Sequence, residues 1–430
     1  MASLCCGFAQ REITPALRGN YLDGYGFRLS PAESIRDPLF VKVCVMTCGD
    51  DVHLIASFDL IGFSPRVYTL ISDQIAGLTG IPRERQSLCC IHTHAAPVSG
   101  VLDELPMDYD YLAWVGEQCG RAALDARERA VPGHFAFDIT PETLHHCYNR
   151  RGRDVIDPSI RCASFVDVDG RLRGVICSAS CHAVINGGMT VSADFLSVLN
   201  AASTDDVPLL YLQNRGADVD PMRGGELDTD TAIDLLGHEL TDPVLRASAA
   251  RAGEVLPAAD GKLSTVFEQV TLPMLEMNDT DSLRAQIREL EAQYFALDRT
   301  DIVKHYTLRE LQWARAMLRR AESGEGFSLT VPLQIVSFGR AFVFAFVPFE
   351  MLTLTGGALE RIFTDAGFPK EAVYTVGYAN SVNGYLAPAA EFPFGGYEVA
   401  GAAHWYGLPQ DDVTTEPAVL AWFAHKAERM

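Results

Sequence analysis

Two histidines separated by one residue, His92 and His94, are the side chains in this sequence whose spacing most suggests chemistry. They follow a predicted strand and precede Pro97, so they lie where a strand turns into a loop. Side chains at i and i+2 share one face of an extended strand, but a turn can point the second one elsewhere. One histidine could therefore hold a metal ion while its neighbour faces a substrate. The pair alone is a weak signal, because histidine pairs also occur in cores and on surfaces.

Polar residues at the ends of other predicted strands strengthen this interpretation. They are His182, Glu350 and Tyr385. Zinc prefers nitrogen and oxygen ligands, although phenolate is not among the usual ones, and a catalytic zinc site keeps one position for water. With His92 these residues form a candidate ligand set. Separations as long as these do not define a metal site by themselves.

The composition is that of a large globular protein with an acidic surface. The chain has 430 residues, 48% of them hydrophobic, which is enough for an extensive core. The formal net charge of -21 is spread along the chain and argues against nucleic acid and anionic membranes as partners. No apolar run approaches the roughly eighteen residues of a membrane-spanning helix. The expected partner is a small-molecule substrate, and the sequence leaves a homo-oligomer open.

The cysteines and the N-terminus indicate a reducing, cytoplasmic environment. The 11 cysteines are odd in number, show no framework spacing, and lie partly within apolar runs. The N-terminus lacks the basic and apolar segments of a secretory signal. Cys181 and His182 could form a thiol–imidazole pair, but adjacent strand residues face opposite sides. A cysteine nucleophile is therefore a minor alternative.

Hydrophobic patterns predict a mixture of strands and helices. The strands are predicted over residues 39–46, 53–58, 87–91, 175–179, 207–212, 329–336 and 341–347. Ser64 and Pro65 predict the start of one helix, and residues 110–129 predict another. Helical spacing over residues 281–321 predicts an αα-hairpin whose second helix opens with a capping box at Thr307. No repeat or linker interrupts the chain, so residues 1–430 are predicted to form one domain.

The order of these motifs resembles the catalytic domain of the neutral/alkaline ceramidases, and still more the short uncharacterised bacterial members of that family. The resemblance lies in residues 7–9, 13–15, 37–39, 92–94, 149–150, 181–182, 192–194, 216–221, 348–350, 377–380, 384–385 and 395–398. With the predicted elements, it implies an α/β fold in which β-sheets form a central sandwich flanked by helices, with the αα-hairpin inserted. The chain ends soon after Tyr406, so the family's C-terminal immunoglobulin-like domain is expected to be absent.

Carried over residue by residue, the resemblance implies zinc ligands at His92, His182, Glu350 and Tyr385. Tyr385 is preferred over the nearby Tyr378, because it falls where the family pattern has its tyrosine. Tyr378 is then expected to line the substrate site.

The resemblance also places His94 and Arg150 at substrate-facing positions. Asp220 stands where ceramidases carry a serine, which argues against ceramide itself as the substrate. Tyr25 lies in an N-terminal segment, residues 21–26, that approaches the site in this family, so it could line the pocket.

These residues predict a zinc-dependent amidohydrolase that cleaves an amide bond of a small polar substrate, in amino-acid or natural-product biosynthesis. Zinc activates water and polarises a carbonyl, which needs no serine. His94 would donate to the oxyanion or the leaving amine. Arg150 would pair with a substrate carboxylate, and Asp220 would accept from a substrate ammonium or amide N–H, or act as general base. The alternative for Arg150 and Asp220 is a structural ion pair.

Two other functions stay open at this point. One is a zinc-dependent cyclase, lactonase or acyl-transfer enzyme that forms or opens a lactam or ester. The other is a catalytically inactive homologue that binds a ligand, because fold alone does not guarantee activity.

Overall fold

The computed structural model describes residues 2–100, 105–222, 227–298 and 301–430. The strands of these residues are β1 (Ala2–Ser3), β2 (Cys5–Glu12), β3 (Ser34–Ile35), β4 (Phe40–Cys48), β5 (Asp51–Phe58), β6 (Gln86–Cys90), β7 (Val131–Thr143), β8 (Cys147–Asn149), β9 (Ser159–Asp167), β10 (Leu172–Ala179), β11 (Thr190–Val191), β12 (Leu209–Gln213), β13 (Val219–Pro221), β14 (Asp260–Gly261), β15 (Leu263–Pro273), β16 (Ser328–Phe338), β17 (Phe342–Phe346), β18 (Glu350–Met351), β19 (Val373–Val376) and β20 (Tyr385–Leu386). The α-helices are α1 (Pro65–Thr79), α2 (Tyr109–Glu128), α3 (Leu196–Ala202), α4 (Thr229–Arg251), α5 (Thr280–Ala296), α6 (Ile302–Ser323), α7 (Thr353–Asp365), α8 (Ala403–Tyr406) and α9 (Thr415–Ala427).

Two β-sheets pack face to face at the centre. The larger has the strand order β12-β10-β9-β7-β2-β4-β5-β6, and the smaller has the order β15-β16-β17-β19. Phe344 and Tyr374 of the smaller sheet share one buried cluster with Phe165 and Ile176 of the larger sheet. Because successive strand residues point to opposite faces, alternate side chains of β17, Phe342, Phe344 and Phe346, enter this cluster. The predicted α/β sandwich is confirmed.

Helices cover the outer faces of both sheets. Val43 of the larger sheet packs in a cluster with Val67 of α1 and Val115 of α2. Val343 of the smaller sheet packs in another cluster with Leu359 of α7 and Phe423 of α9. Among the described residues, no helix combines the length and the apolar character needed to cross a bilayer. The helices instead bury one apolar face against a sheet.

The starts of two predicted helices differ in outcome. The side chain of Ser64 accepts a hydrogen bond from the backbone N–H of Val67, as predicted for the start of α1. The helices α5 and α6 match the predicted αα-hairpin, but α6 begins at Ile302 with Asp301 as its cap, and not at Thr307. The hydroxyl of Thr307 donates to the carbonyl of Val303 inside the helix. The capping-box prediction was wrong because a threonine can bond the preceding turn in a helix interior.

The hairpin packs on the body through its own small core. Leu283 of α5 and Leu311 of α6 share a buried cluster with Met274. The indole Nε1 of Trp313 donates to the carbonyl of Leu408 at 2.7 Å, which ties α6 to the C-terminal region. The residues between the two helices, 299–300, lie outside the described residues. The assignment of the whole chain to one domain stays a prediction.

The larger sheet curls until its first and last strands approach each other. Lys42 of β4 donates to the carbonyl of Leu209 in β12 at 3.0 Å. The loops after β6 and β10 then pair through a bridge between Thr93 and Ala183. The smaller sheet joins at the same place, because the loop after β19 accepts a hydrogen bond from Cys90 of β6. The carboxyl ends of β6, β10, β17 and β19 therefore meet at one end of the sandwich.

We expect Phe344→Ala to lower the free energy of unfolding by about 3–5 kcal/mol, because it removes a large ring from a closely packed interior. Phe344 is 0% exposed, and its ring centroid lies 4.9 Å from that of Tyr374. Phe295→Ala is the matched control, because Phe295 is 79% exposed and its loss should change the free energy by less than about 0.5 kcal/mol. Urea denaturation measures both. Equal effects of the two substitutions would contradict a core between the sheets.

Candidate functional site

Three of the predicted ligands meet at the carboxyl ends of the strands. His92 follows β6, His182 follows β10, and Glu350 begins β18. The Nε2 atoms of His92 and His182 lie 3.3 Å and 3.2 Å from the same carboxylate oxygen, Oε2 of Glu350. All three side chains are buried. The sheet curvature therefore brings together residues that are far apart in the sequence.

Hydrogen bonds to the backbone determine which nitrogen of each histidine faces inward. Nδ1 of His92 lies 2.7 Å from the carbonyl of Ile61, and Nδ1 of His182 lies 2.6 Å from the carbonyl of Gly216. A carbonyl oxygen only accepts, so each Nδ1 carries a proton and each ring turns its Nε2 toward Glu350.

The inward-facing atoms can all act as metal ligands. Nε2 of His92 and Nε2 of His182 face one carboxylate oxygen of Glu350. A positive charge must offset this buried carboxylate, and it can be a proton on an imidazole or a metal ion held between the three atoms. Imidazole nitrogen and carboxylate oxygen are a donor set that suits zinc. The residues present therefore fit a bound metal ion.

His94 lies beside this centre. Its Nε2 is 3.2 Å from Nε2 of His92, and its buried Nδ1 has no hydrogen-bond partner. The ligand atoms of His92, His94 and His182 all lie within 4.8 Å of one another, so these three histidines could hold a metal. Burial, together with His92 and His182, lowers the pKa of His94 well below its ordinary value. The neutral ring can thus serve as a ligand or face a substrate.

A glycine allows the N-terminal segment to lie directly against His94. A Cβ on Gly24 would lie 2.5 Å from atoms of the His94 ring, and its φ of +92° favours glycine. The ring of Tyr25 follows, with its centroid 5.1 Å from that of His94. The structure therefore brings Tyr25 to the site, as expected from the sequence.

Arg28 holds this N-terminal segment in place, and sequence reasoning missed it. Its guanidinium donates to the carbonyl of His94 and, at 2.7 Å, to that of Asn186. Its Cζ also lies 4.7 Å from the ring centroid of Tyr25. A lone arginine between Phe27 and Leu29 carries no spacing signal that would have revealed this contact.

Two tyrosines hydrogen-bond to Glu350. The hydroxyl of Tyr378 donates to Oε2 at 3.3 Å, and the hydroxyl of Tyr406 donates to Oε1. Burial alone would raise the pKa of Glu350, but His92 and His182 hold that pKa well below its ordinary value. The carboxylate is therefore ionised. Sequence reasoning missed Tyr406, which no motif or spacing distinguishes from other aromatic residues near the C-terminus.

Tyr385 reaches the site in a different way. It lies opposite Glu350 in the parallel pair of β18 and β20, and its hydroxyl accepts a hydrogen bond from Arg150 at 2.9 Å. Burial raises the pKa of Tyr385 well above its ordinary value, although Arg150 opposes the rise. The hydroxyl of Tyr378 contacts the carboxylate of Glu350, whereas Tyr385 lies beside Glu350 because their strands pair through the backbone. The choice of Tyr385 as ligand stays a prediction.

Arg150 and Asp220 form an ion pair, which was the structural alternative considered for them. Arg150 follows β8, which pairs with β13, where Asp220 lies. Nη1 of Arg150 is 3.2 Å from Oδ1 of Asp220, Nη2 bonds Tyr385, and Nε is 2.8 Å from Oε1 of Glu398. All three nitrogens are engaged within the protein. Oδ1 of Asp220 also lies 4.0 Å from Nδ1 of His182.

Three residues near the histidines have structural roles. Asp59 accepts a hydrogen bond from the backbone N–H of Phe40 at 2.7 Å, and Asp194 accepts one from the backbone N–H of Asn186 at 2.7 Å. The Nδ1 atoms of His92 and His182 are bound by backbone carbonyls instead, so carbonyls and not carboxylates orient the two rings. Burial raises the pKa of Cys181 well above its ordinary value. A cysteine nucleophile needs a thiolate, so the structure argues against this alternative.

Comparison with known proteins shows a shared fold at low sequence identity. No family model matches the chain, and no curated protein sequence matches it. The neutral ceramidase from Pseudomonas aeruginosa superposes with a TM-score of 0.74 at 16% identity, over 100% of this chain and 74% of the ceramidase. A ceramidase complexed with C2 gives a TM-score of 0.73 at 16% identity, over 100% of this chain and 75% of that one. The predicted resemblance to neutral ceramidases is confirmed for the fold.

Proposed function

We propose that this protein is a zinc-dependent hydrolase that cleaves an amide bond of a small polar substrate. The observation that carries the proposal is the convergence of three buried ligand atoms, in which Nε2 of His92 and Nε2 of His182 lie 3.3 Å and 3.2 Å from Oε2 of Glu350. A shared fold with ceramidases supports an amide as the substrate bond. The eleven cysteines, all free and almost all buried, agree with the cytoplasmic location expected from the sequence.

The proposed ligands are His92, His182, Glu350 and Tyr385, with a position left for water or substrate. When bound, zinc supplies an activated water and polarises the substrate carbonyl. Ile61 and Gly216 hold the two histidine rings in the tautomer that leaves Nε2 free. The hydroxyls of Tyr378 and Tyr406 hold the carboxylate of Glu350.

The remaining residues of the site would handle charge and protons. His94 lies next to His92 and would donate a hydrogen bond to the developing oxyanion or to the leaving amine. Asp220 would accept from an ammonium or amide N–H of the substrate or act as general base. Arg150 pairs with Asp220 and thereby holds it in position. These charged groups favour a polar substrate over a purely apolar one.

The reaction is tested by offering small N-acyl amines to the zinc-loaded protein and measuring the amine released. We expect release that stops when a chelator removes the metal and resumes when zinc is added back. Product analysis by mass spectrometry separates hydrolysis from lactam formation or acyl transfer, which would use the same residues. Release of amine that persists after complete metal removal would refute zinc dependence.

We expect Glu350→Gln to lose zinc and His94→Ala to retain it. A neutral amide replaces an ionised ligand in the first variant, whereas His94 is proposed to face the substrate in the second. His94→Ala should still lower turnover by about 10²-fold, the size expected for one oxyanion donor or proton donor. Elemental mass spectrometry and the amine assay measure the two effects. Loss of zinc in His94→Ala would instead favour the set of three histidines as ligands.

A further inference from the structure

A cavity of about 570 Å³ adjoins the candidate metal centre through Arg150. Its walls include three arginines close together in the chain, Arg150, Arg151 and Arg153, and two glutamates, Glu391 and Glu398. Because Arg150 also bonds Tyr385 and Asp220, the cavity and the centre share one side chain. A substrate group held in this cavity would therefore contact a side chain that itself contacts the proposed ligand Tyr385.

The charged side chains of the cavity form a continuous chain of ion pairs. Glu398 bridges Arg150 at 2.8 Å and Arg151 at 2.5 Å. Glu391 bridges Arg151 at 2.9 Å and Arg153 at 3.2 Å. The side chains of Arg151, Glu391 and Glu398 are buried, so each depends on its partners to offset the loss of hydration. The wall is therefore rigid and its charges are fixed in place.

A glycine turn closes this wall from the other side. Gly395 accepts a hydrogen bond from Arg151 at 2.8 Å. Gly396 has a φ of +97°, and a Cβ at that position would lie 3.2 Å from Nη1 of Arg151. The turn can approach the arginine this closely because it has no side chains. The two glycines therefore allow the backbone of the turn to pack directly against Arg151.

The charged side chains of the cavity are balanced as a set. Three arginines and two glutamates line the cavity, and Asp220 pairs with Arg150 from the side of the metal centre, so three positive charges face three negative ones. At the other end, Arg151 and Arg153 share the single carboxylate of Glu391. Arg153 is therefore the last arginine of this row, and its carboxylate partner is shared with a second guanidinium.

Arg153 is placed to bind an anion. Among the described residues, Glu391 is its only ion-pair partner, and its side chain is 32% exposed. Its Cζ lies 3.6 Å from the ring centroid of Phe394, a residue that is 64% exposed. The face of an aromatic ring attracts a guanidinium at this distance, and the contact leaves N–H groups of the guanidinium able to bind a carboxylate.

We propose that this cavity is the subsite for a carboxylate carried by the substrate, and that Arg153 is the residue that binds it. The proposal rests on the proposed function, because it assigns the bound group to the substrate of the same site. The substrate class is then an amide whose one end is a carboxylate, such as an N-acyl amino acid. Arg153 takes the role that the sequence suggested for Arg150, whose nitrogens are already engaged.

An apolar substrate tail fits this cavity less well. A hydrocarbon chain would remove water from the arginines and glutamates without offering them a partner. A substrate carboxylate offers a further partner to Arg153, which shares Glu391 with Arg151, and forms charge-assisted hydrogen bonds with it. The cavity should therefore bind carboxylate-bearing amides more tightly than purely apolar ones.

The test uses the zinc-loaded full-length protein and a series of N-acetyl ω-amino acids of increasing length. Each acid is paired with its primary amide, which has the same shape but no charge, and affinities are measured by isothermal titration calorimetry. At one or more lengths the acid should bind about tenfold more tightly than its amide, the size expected for a hydrogen bond to a charged group. Arg153→Gln should abolish this preference. The absence of a preference at every length would overturn the proposal.

Arg85→Gln is the matched control. The Arg85 side chain is also 32% exposed and pairs with one carboxylate, Asp51, at 3.1 Å, but it lies at the start of β6 and away from the cavity. This variant should keep the preference for acids. A preference that survives in Arg153→Gln would place the carboxylate elsewhere, for example on the metal, and would refute the subsite.

Phe394→Ala tests the same subsite without changing a charge. Phe394 is exposed, so its loss should leave the fold intact while it releases the Arg153 guanidinium. The preference for acids should fall about threefold, in line with the modest energy of an exposed cation–π contact. If both Phe394→Ala and Arg153→Gln kept the wild-type preference for acids over amides, the proposal would be refuted. Two variants are used so that poor stability of one of them does not prevent the test.

Hydrolysis of the same compounds distinguishes this proposal from the proposed function. Acids that bind by way of Arg153 but release no amine would support the subsite and refute the hydrolase. Amides and acids that are hydrolysed equally well, with equal affinities, would support the hydrolase and refute the subsite.

Discussion

Purified protein supplied with zinc is expected to contain about one zinc ion per chain, and His92→Ala is expected to lose it. The substitution removes one Nε2 lone pair and leaves the carboxylate of Glu350 with a single facing histidine. His92 is one of only two imidazoles in the proposed ligand set, and phenolate is not among the usual zinc ligands, so the remaining set should bind zinc too weakly to retain it during purification. Elemental mass spectrometry measures the zinc-to-protein ratio of both proteins.

His238→Ala provides the matched control for this measurement. His238 is exposed on α4 and, like His92, lies beside a carboxylate, Asp242, at 3.2 Å. Its removal should leave the zinc content unchanged, which would show that any loss in His92→Ala is specific to the site. If the wild-type protein contained no zinc and took up none on addition, the proposed hydrolase function would be refuted. A homologue that only binds a ligand would then be favoured.

Zinc binding should also stabilise the folded protein. A ligand that binds only the native state raises stability in proportion to the logarithm of its concentration relative to the dissociation constant. The melting temperature should therefore fall when a chelator is added to the wild type, and it should not respond to the chelator in His92→Ala. This comparison uses no substrate, so it tests the metal centre independently of catalysis.

The strand ends that carry the site could be predicted because each follows a strong local signal. Residues 87–91 and 175–179 are mostly apolar runs that polar residues follow, and these patterns predict buried strands. His92, His182 and Glu350 were therefore expected at strand ends, where the structure places them. The resemblance to ceramidases added what the strands alone could not, namely that these ends belong to one site.

The strand ends are brought together by contacts between residues far apart in the sequence, and no local sequence pattern predicts such contacts. The larger sheet must curl for the loops after β6 and β10 to pair, and this is achieved by contacts such as that of Lys42 with Leu209. Glu398 and Tyr406 reach the site from the C-terminal region in the same manner. Residues that act through tertiary packing leave no spacing in the sequence, so sequence reasoning missed them.

Asp220 is where this chain departs most clearly from the ceramidase pattern, and Asp220→Asn is expected to lower turnover by about 10²–10⁴-fold while zinc content stays close to that of the wild type. Asparagine keeps the shape of the side chain and one oxygen acceptor but removes the charge. The change leaves His92, His182 and Glu350 untouched, so the metal should remain bound. Steady-state kinetics on a hydrolysed amide and elemental mass spectrometry measure the two quantities.

Glu398→Gln separates a role in the reaction from a role in the ion pair. Glu398 and Asp220 both pair with Arg150, at 2.8 Å and 3.2 Å, but only Asp220 also lies near His182. If Asp220 serves only to neutralise Arg150, the two variants should lose similar amounts of activity. If Asp220 contacts the substrate, Asp220→Asn should be far more damaging than Glu398→Gln. Wild-type turnover in Asp220→Asn would exclude Asp220 from the mechanism and leave the pair with Arg150 as its whole function.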